Sequence, residues 1–245
     1  MVTDRELVEK WRTHVFRPAA TEVRSLLANF PDRRTLRVPF DRYGTDYRFS
    51  EPLLEDPDRT LETGRQALAE FARELLDGEE GSDIVGVHPD DRVYFRIADP
   101  PERLRRDLSA LGADQLNRLV TVQGTVVDVD RPRPRVIVAT FRCDRCEASQ
   151  LVRQPGRHLR RPGRCPDCNA GGPFTLVPDR STCVDAQTIQ LRDGTATVEV
   201  GLEHDLVDAF DTGAALSLVV IPRARLEGDT TTGAFELEAV SASRR

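Results

Sequence analysis

Four cysteines are spaced as two pairs that could bind one metal ion together. Cys143 and Cys146 form one Cys-x-x-Cys pair, and Cys165 and Cys168 form a second pair after eighteen intervening residues. Two such pairs can supply four thiolates to Zn²⁺ at ~2.3 Å per sulfur, and the spacing is typical of zinc ribbons. Four sulfur atoms complete a tetrahedral shell and leave no position for water, so the pattern predicts a structural zinc site and not a catalytic one.

Other interpretations of the cysteines and the nearby histidine stay open. A Cys-x-x-Cys pair is also typical of thiol–disulfide exchange, although one pair alone would suffice for that chemistry. His158 lies between the pairs, but four cysteines already fill the shell, so we expect His158 to be a solvated neighbour. The fifth cysteine, Cys183, stands alone and is predicted to be a small core residue.

Positive charge is concentrated around the cysteines. The chain has 41 acidic and 35 basic residues and a formal charge of −6, yet residues 131–165 contain ten arginines and two acids. That segment therefore carries +8, and the rest of the chain carries −14. A Zn²⁺ ion with four thiolates would lower the segment's charge by only about 2. The pattern predicts an anion-facing surface; the alternative is a solvated ribbon whose arginines pair with acids elsewhere.

The charge composition also indicates a setting. Lys10 is the single lysine of the chain, and many acids with almost no lysine are typical of proteins that work at high salt. A GC-rich genome that encodes arginine in place of lysine is the alternative. No run of eighteen apolar residues exists, and the charged N-terminus has no apolar stretch, which argues against membrane insertion and secretion. We expect a reducing cytoplasm.

Residues 1–112 are predicted to form a mainly helical subdomain. Thr3 is a candidate N-cap for a first helix, and residues 18–30 form a candidate second helix. The strongest helical pattern begins at Pro57 and stops at Gly78, and a loop follows over residues 77–83.

Two extended segments and one further helix complete the predicted subdomain. Residues 35–40 and 93–97 read as strands. Pro100 and Pro101 are expected to open a helix that continues through Leu104 and Leu108.

From about residue 117 the pattern is typical of short strands. Gly124 interrupts the first strand and predicts a bend or bulge, and Asp193-Gly194 predicts a tight hairpin. We therefore expect an α+β chain of several subdomains: the N-terminal helical subdomain, an OB-fold barrel over residues 113–142 and 178–245, and an inserted four-cysteine zinc ribbon over residues 143–177. The predicted strands are residues 119–129, 135–141, 187–191, 195–202, 215–220 and 233–240.

Five segments of the chain together form a recognisable pattern: residues 35–77, VYFRIADPPERLRRDL, LNRLVTVQGTVVDVDRPRPRVIVATFRCDRC, STCVDAQTIQL and VEVGLEHDLVDAFDTGAAL. In this order they resemble the N-terminal region of minichromosome maintenance (MCM) replicative helicases in their archaeal, and from the charge composition haloarchaeal, form. The resemblance implies an A subdomain, a four-cysteine zinc subdomain and an OB fold, assembled into rings whose channel holds DNA, and thus a nucleoid-associated protein.

The sequence departs from the family pattern in two places. No GxxxxGK[ST] motif is present, and the chain ends at Arg245, where the family's ATPase module would follow, so we expect neither ATP hydrolysis nor unwinding by this chain alone. The family's basic DNA-contacting hairpin is also reduced to residues 192–195, in which Arg192 is the one basic residue.

The predicted DNA contacts are therefore mainly electrostatic. Phe141 is the one aromatic residue of the basic segment, and we expect it to pack under the first cysteine pair. The candidate DNA-binding residues are Arg131, Arg133, Arg135, Arg192, Arg153, Arg160 and Arg161.

Three hypotheses for function follow from these patterns. The first is a non-catalytic DNA-binding and assembly module that acts in DNA replication, with single- or double-stranded DNA and a homo-oligomeric ring or full-length MCM subunits as partners. The second is a protein–protein module that joins, caps or regulates MCM rings. The third is an enzyme with an unrecognised site. Whether the chain is a stand-alone paralogue or a shortened coding region stays open.

Overall fold

The computed structural model describes residues 2–44, 47–76, 93–154, 159–226 and 233–245. The chain separates into two compact units. The main unit consists of Met1–Asp130 and Gln187–Arg245, and the cysteine unit consists of Arg131–Ala186.

The first helices follow the capping signals in the sequence. Helix α1 spans Asp4–Lys10 and leads into a π-helical segment, Trp11–Phe16. The Thr3 hydroxyl accepts a hydrogen bond from the Glu6 N–H, and the Glu6 carboxylate accepts one from the Thr3 N–H at 2.7 Å. This reciprocal capping box confirms Thr3 as the N-cap. Helix α2 spans Ala20–Ala28, inside the predicted second helix.

Three further helices follow, and two of them were not predicted. These two are α3, Asp41–Gly44, and α4, Tyr47–Glu55. Pro52 lies inside α4, where it lacks an N–H to donate, so the sequence of this segment did not indicate a helix. Helix α5, Pro57–Leu76, begins where predicted. The expected stop at Gly78 and the following loop lie outside the described residues.

The single tryptophan lies at the centre of the helical core. Trp11 is fully buried, and its indole N–H donates to the Thr60 carbonyl at 2.8 Å. A Cβ on Gly64 would lie 2.7 Å from the Trp11 ring, so only glycine fits there. Four aromatic rings have centroids within 4.8 to 5.8 Å of Trp11: Phe16, Tyr43, Phe49 and Phe95.

Ten strands are numbered within the described residues. The two predicted strands of the helical region, β1 and β2, pair in parallel. The strands are β1 Thr35–Pro39, β2 Tyr94–Ala98, β3 Val120–Val129, β4 Arg133–Cys143, β5 Ser149–Arg153, β6 Phe174–Leu176, β7 Thr182–Asp193, β8 Ala196–Glu203, β9 Ala215–Leu226 and β10 Gly233–Arg244.

Five strands of the main unit close into a barrel. They are hydrogen-bonded in the order β3-β9-β10-β8-β7, and β3 also pairs with β7. Strand β3 changes partner at Thr125, which lies opposite both Ala215 and Arg192. The predicted α+β architecture with an OB barrel is confirmed.

Both predicted irregularities of the barrel occur, with small shifts in position. A Cβ on Gly124 would lie 2.7 Å from the Arg192 carbonyl oxygen, so the glycine permits a close approach of two strands. The register shift itself falls after Val126. The hairpin between β7 and β8 turns at Gly194, whose φ is +58°, and Thr195.

The predicted helix after Pro101 is wrong. Two separate 3-10 turns occur instead, Glu102–Leu104 and Leu108–Ala110, with extended backbone between them. The Arg106 N–H donates to the Thr121 carbonyl of β3 at 2.8 Å. Pairing with β3 thus takes the hydrogen bond that a continuous helix would have used.

No helix among the described residues is long and apolar enough to cross a membrane.

Candidate metal centre

Strand β4 delivers the first cysteine of the cysteine unit into a small buried cluster. Along its length β4 pairs with β7, β5 and β6. Cys143 lies at its end, opposite Phe174 of β6. Phe141 is fully buried in the same cluster as Cys143, Cys165 and Phe174, which confirms that it packs under the first cysteine pair.

The two cysteine pairs lie in turns with the same hydrogen-bond pattern. In the first, the Cys143 N–H donates to the Ala148 carbonyl at 2.9 Å, and the Glu147 N–H donates to the Cys143 carbonyl at 2.9 Å. Glu147 has a φ of +62°. The same pattern and a φ of +57° recur in the second turn, at Cys165, Ala170 and Asn169.

The four sulfur atoms converge on one point. All four lie within 4.8 Å of one another. The Sγ atoms of Cys143 and Cys168 are 3.7 Å apart, and those of Cys146 and Cys165 are 3.6 Å apart. A tetrahedral ion with metal–sulfur bonds of ~2.3 Å requires sulfur atoms roughly 3.8 Å apart, whereas a disulfide requires about 2.05 Å. The arrangement therefore fits a four-sulfur metal site.

The surroundings of the thiols affect how readily each one ionises. The backbone N–H groups of Arg145 and Cys146 point at the Cys143 sulfur and lower the pKa of Cys143 to about 7. The Ala148 N–H also favours the Cys146 thiolate, but the neighbouring sulfur atoms outweigh it and raise the pKa of Cys146 to about 12. Four clustered thiols cannot all ionise unless a cation relieves their repulsion.

Side chains around the sulfurs tie the two turns to the strands. The Thr175 hydroxyl of β6 donates to the Asp144 carboxylate at 2.8 Å, which joins the first turn to β6. Gln154 is buried, with 5% of its surface exposed, and makes several hydrogen bonds. The sequence carried no signal for Gln154, because its partners are carbonyl and N–H groups placed by the fold.

One cysteine lies elsewhere than predicted. Cys183 is exposed, so its prediction as a core residue is wrong. It lies on β7, where Cys183 and Asp185 are exposed and the intervening Val184 is half-buried. Alternation along the strand thus turns the thiol outward. His158 lies outside the described residues.

The arginines proposed to contact DNA fall into three groups. Arg135 and Arg161 make hydrogen bonds inside the cysteine unit, to the carbonyls of Gln154 at 3.3 Å and Phe174 at 3.2 Å. Arg192 is exposed and lies in the main unit. Arg161 is nevertheless exposed, as are the remaining four in the cysteine unit: Arg131, Arg133, Arg153 and Arg160.

Comparison with known proteins found similarity to one family over part of the chain. Residues 106–224 match the family model described as the MCM OB domain. The chain is also similar to the crystal structure of the N-terminal domain of an archaeal MCM. That match has a TM-score of 0.77 and 21% identity, and it covers 99% of this chain and 100% of the other.

The curated relatives are distant and much longer. The DNA replication licensing factor mcm5 of Dictyostelium discoideum is 23% identical over 78% of this chain and 26% of its own length. The corresponding figures for the minichromosome maintenance protein MCM of Saccharolobus solfataricus are 26%, 50% and 20%. For MCM4 of Drosophila melanogaster they are 25%, 49% and 15%. This chain thus spans roughly a quarter or less of the relatives it matches.

Proposed function

Because residues 106–224 match the family model of the MCM OB domain and the chain has the fold of an archaeal MCM N-terminal domain, we propose a non-catalytic module that binds DNA and assembles with MCM subunits in DNA replication. Its partners are single- or double-stranded DNA and either further copies of itself in a ring or full-length MCM subunits. The names of the relatives, which refer to DNA replication licensing and minichromosome maintenance, support this role.

The proposal that the chain binds DNA rests on the distribution of charge. The cysteine unit contains eleven arginines and five acids, a formal charge of +6 in a chain of −6 overall. A bound Zn²⁺ ion with four thiolates would leave it at about +4. Arg131, Arg133, Arg153 and Arg160 are exposed, and arginine suits phosphate because it presents a planar fork of donors.

The metal supports the DNA-binding surface only indirectly. We propose that Cys143, Cys146, Cys165 and Cys168 hold one structural Zn²⁺, which would supply no reaction chemistry because all four ligands are protein sulfurs. The protein's contribution is to hold the two turns against β4 and β6. The exposed arginines are then presented on an ordered scaffold.

We also propose the subdomain boundaries expected from the sequence. They are a helical A-like subdomain over residues 1–112, a barrel over residues 113–142 and 178–245, and a zinc ribbon over residues 143–177. The compact units divide at residues 131 and 186 because most of β4 and the start of β7 pair with each other.

A protein–protein module is the second candidate, and two observations favour it. The hairpin between β7 and β8 turns at Gly194 and Thr195 with Arg192 as its one basic residue, so it offers little to a phosphate. Arg135 and Arg161 already donate to carbonyl groups within the cysteine unit. In this alternative the chain caps or joins a full-length MCM ring with little DNA affinity of its own.

DNA binding by charge variants separates the two candidates. Labelled single- and double-stranded oligonucleotides are titrated with the chain in 0.2 M and 2 M salt, and anisotropy is read. The test variant replaces Arg131, Arg133, Arg153 and Arg160 by alanine. The matched control replaces four exposed arginines of the main unit: Arg5, Arg17, Arg24 and Arg37.

The two candidates differ in the expected result. If the four exposed arginines contact phosphates, the test variant loses at least tenfold in affinity at 0.2 M salt, while the control loses much less. The logarithmic salt slope on single strands also falls by roughly 3, because each lost contact removes about 0.7. No binding by the wild-type chain at either salt, together with co-purification with a full-length MCM protein, would favour the protein–protein role.

A further inference from the structure

We infer that Gln154 and Arg161 are positioning residues of the metal centre. Together they form what we call the clasp. The clasp fixes residues 160 and 161, which precede the second cysteine pair, against β4 and β6, the strands beside the first pair. The inference rests on the proposed four-cysteine metal site. It gives Arg161 a role other than the DNA contact expected from its charge.

The first half of the clasp is the side chain of Gln154. Its amide nitrogen donates to the Arg160 carbonyl at 2.9 Å and to the Val152 carbonyl at 3.0 Å, and its amide oxygen accepts from the Arg160 N–H at 2.6 Å. Both N–H donors and the carbonyl of this buried amide are thus used. Gln154 therefore forms hydrogen bonds with both the carbonyl and the N–H of Arg160.

The second half of the clasp is the next residue, Arg161. Its guanidinium donates to the Phe174 carbonyl of β6 at 3.2 Å and lies 5.9 Å from the centroid of the Phe141 ring. That distance is within the range of a cation–π contact. Arg161 therefore touches both neighbouring strands, β4 through Phe141 and β6 through Phe174.

The two phenylalanines that Arg161 contacts pack beside the cysteines. Phe141 and Phe174 pack in the buried cluster that contains Cys143 and Cys165, and Phe174 lies opposite Cys143 in the strand register. Cys165 follows Arg161 by four residues in the chain. Fixing Arg161 on this cluster thus restricts where Cys165 and Cys168 can lie before any metal binds.

The clasp should slow the loss of the metal. Without it, part of the metal-binding free energy must be used to order the second cysteine pair, because fixing a backbone costs conformational entropy. Arg160 makes a matched control. Its side chain is exposed and carries the same charge as Arg161, whereas its clasp contacts to Gln154 are made by its backbone and survive truncation to alanine.

The test is the rate of zinc release from the full chain. Wild type, Gln154→Ala, Arg161→Ala, Arg161→Lys and Arg160→Ala are loaded with one equivalent of Zn²⁺, and transfer to a chromophoric chelator is followed. We expect Gln154→Ala and Arg161→Ala to release zinc at least tenfold faster than wild type, Arg161→Lys to recover part of the loss, and Arg160→Ala to stay within twofold. The Co²⁺-loaded forms should show weaker tetrahedral thiolate bands for the two fast variants alone.

Two outcomes overturn the inference, and they are distinguishable. Release rates for Gln154→Ala and Arg161→Ala equal to that of Arg160→Ala overturn the clasp and leave the metal site intact. Should one of these variants fail to fold, the other decides on the same comparison. Failure of the wild-type chain to take up either Zn²⁺ or Co²⁺ overturns the four-cysteine site itself, and the clasp with it.

Discussion

Arg96 of β2 donates from its Nε to the Asp205 carboxylate at 3.0 Å and thereby joins the small parallel sheet to the barrel. The same guanidinium donates to the Val240 carbonyl of β10 at 2.7 Å, and Thr35 of β1 donates to Asp205 at 2.8 Å. Arg96 is only 8% exposed. Helical and barrel parts of the main unit are therefore linked by a largely buried ion pair.

Removing the carboxylate of this pair should destabilise the main unit. Asp205→Ala leaves the Arg96 charge buried without its counter-ion, so we expect a loss of roughly 2–4 kcal/mol in the free energy of unfolding. Urea unfolding followed by Trp11 fluorescence measures it, since Trp11 is buried in the same unit. Asp211→Ala is the control, because the Asp211 side chain is 96% exposed. Equal unfolding midpoints for the two variants would contradict the role given to Asp205.

The same pair predicts a pH dependence. Burial alone would raise the pKa of Asp205, but the charge of Arg96 and the hydrogen bonds from Arg96 and Thr35 outweigh it and lower the pKa below 3.8. The ion pair therefore contributes fully above the unfolded-state pKa of about 3.9, and its contribution is lost as the pH falls through the folded-state value. Stability measured from pH 6 to pH 2.5 should fall less steeply for Asp205→Asn than for wild type. Parallel curves would argue against this linkage.

Packing against the tryptophan predicts a cost for one added methyl group. In Gly64→Ala the new Cβ would lie 2.7 Å from the Trp11 ring and 2.9 Å from that of Phe95. Overpacking of about 1–3 kcal/mol should exceed the ~1 kcal/mol that alanine adds to a helix. We expect a lower urea midpoint and altered Trp11 emission, whereas exposed Arg65→Ala on the same helix should change stability by less than about 0.5 kcal/mol. A Gly64→Ala variant more stable than wild type would refute this packing.

Removal of the metal should affect the two units differently. The main unit has its own apolar clusters, whereas the buried cluster of the cysteine unit includes two of the four thiols. A strong chelator should therefore abolish hydrogen-exchange protection in residues 131–186 and leave Trp11 emission unchanged. Protection that survives in a zinc-free chain would rule out a metal-dependent cysteine unit.

The zinc content of cysteine variants tests which cysteines bind the metal. Cys168→Ser removes one of the four converging sulfurs, so we expect less than about a tenth of the zinc content of wild type after purification. Cys183→Ser should retain one zinc per chain, because Cys183 is exposed on β7 and lies outside the four-sulfur cluster. Equal zinc contents of the two variants would contradict the assignment of ligands.

Local signals in the sequence predicted much of the fold. The elements that were predicted wrongly or missed depend on contacts with residues that are distant in the sequence. Thr3 with Glu6 and the long apolar pattern of α5 act within a few residues, so α1 and α5 were predictable. The helix expected after Pro101 failed because the Arg106 N–H bonds to β3, a partner that local sequence cannot reveal. Helix α4 was not predicted because proline is unfavourable inside a helix, and Pro52 lies within this segment. The helix nevertheless buries Phe49 and Leu53.

At the candidate site, too, local features were predictable and contacts made by the fold were not. The spacing of the four cysteines was enough to predict that they converge, because each pair is set by one short turn. The roles of the arginines were not predictable in this way: Arg161 and Arg160 are adjacent and identical in type. Both are exposed, but the fold directs the Arg161 side chain to the Phe174 carbonyl.

Light scattering in 0.2 M salt, with and without single-stranded DNA, tests most directly whether this chain binds DNA and assembles. We predict that the DNA co-elutes with a species containing more than one chain, since several weak arginine contacts add up when copies are held together. A mass that matches a single chain in both samples, with the DNA eluting free, would contradict the account.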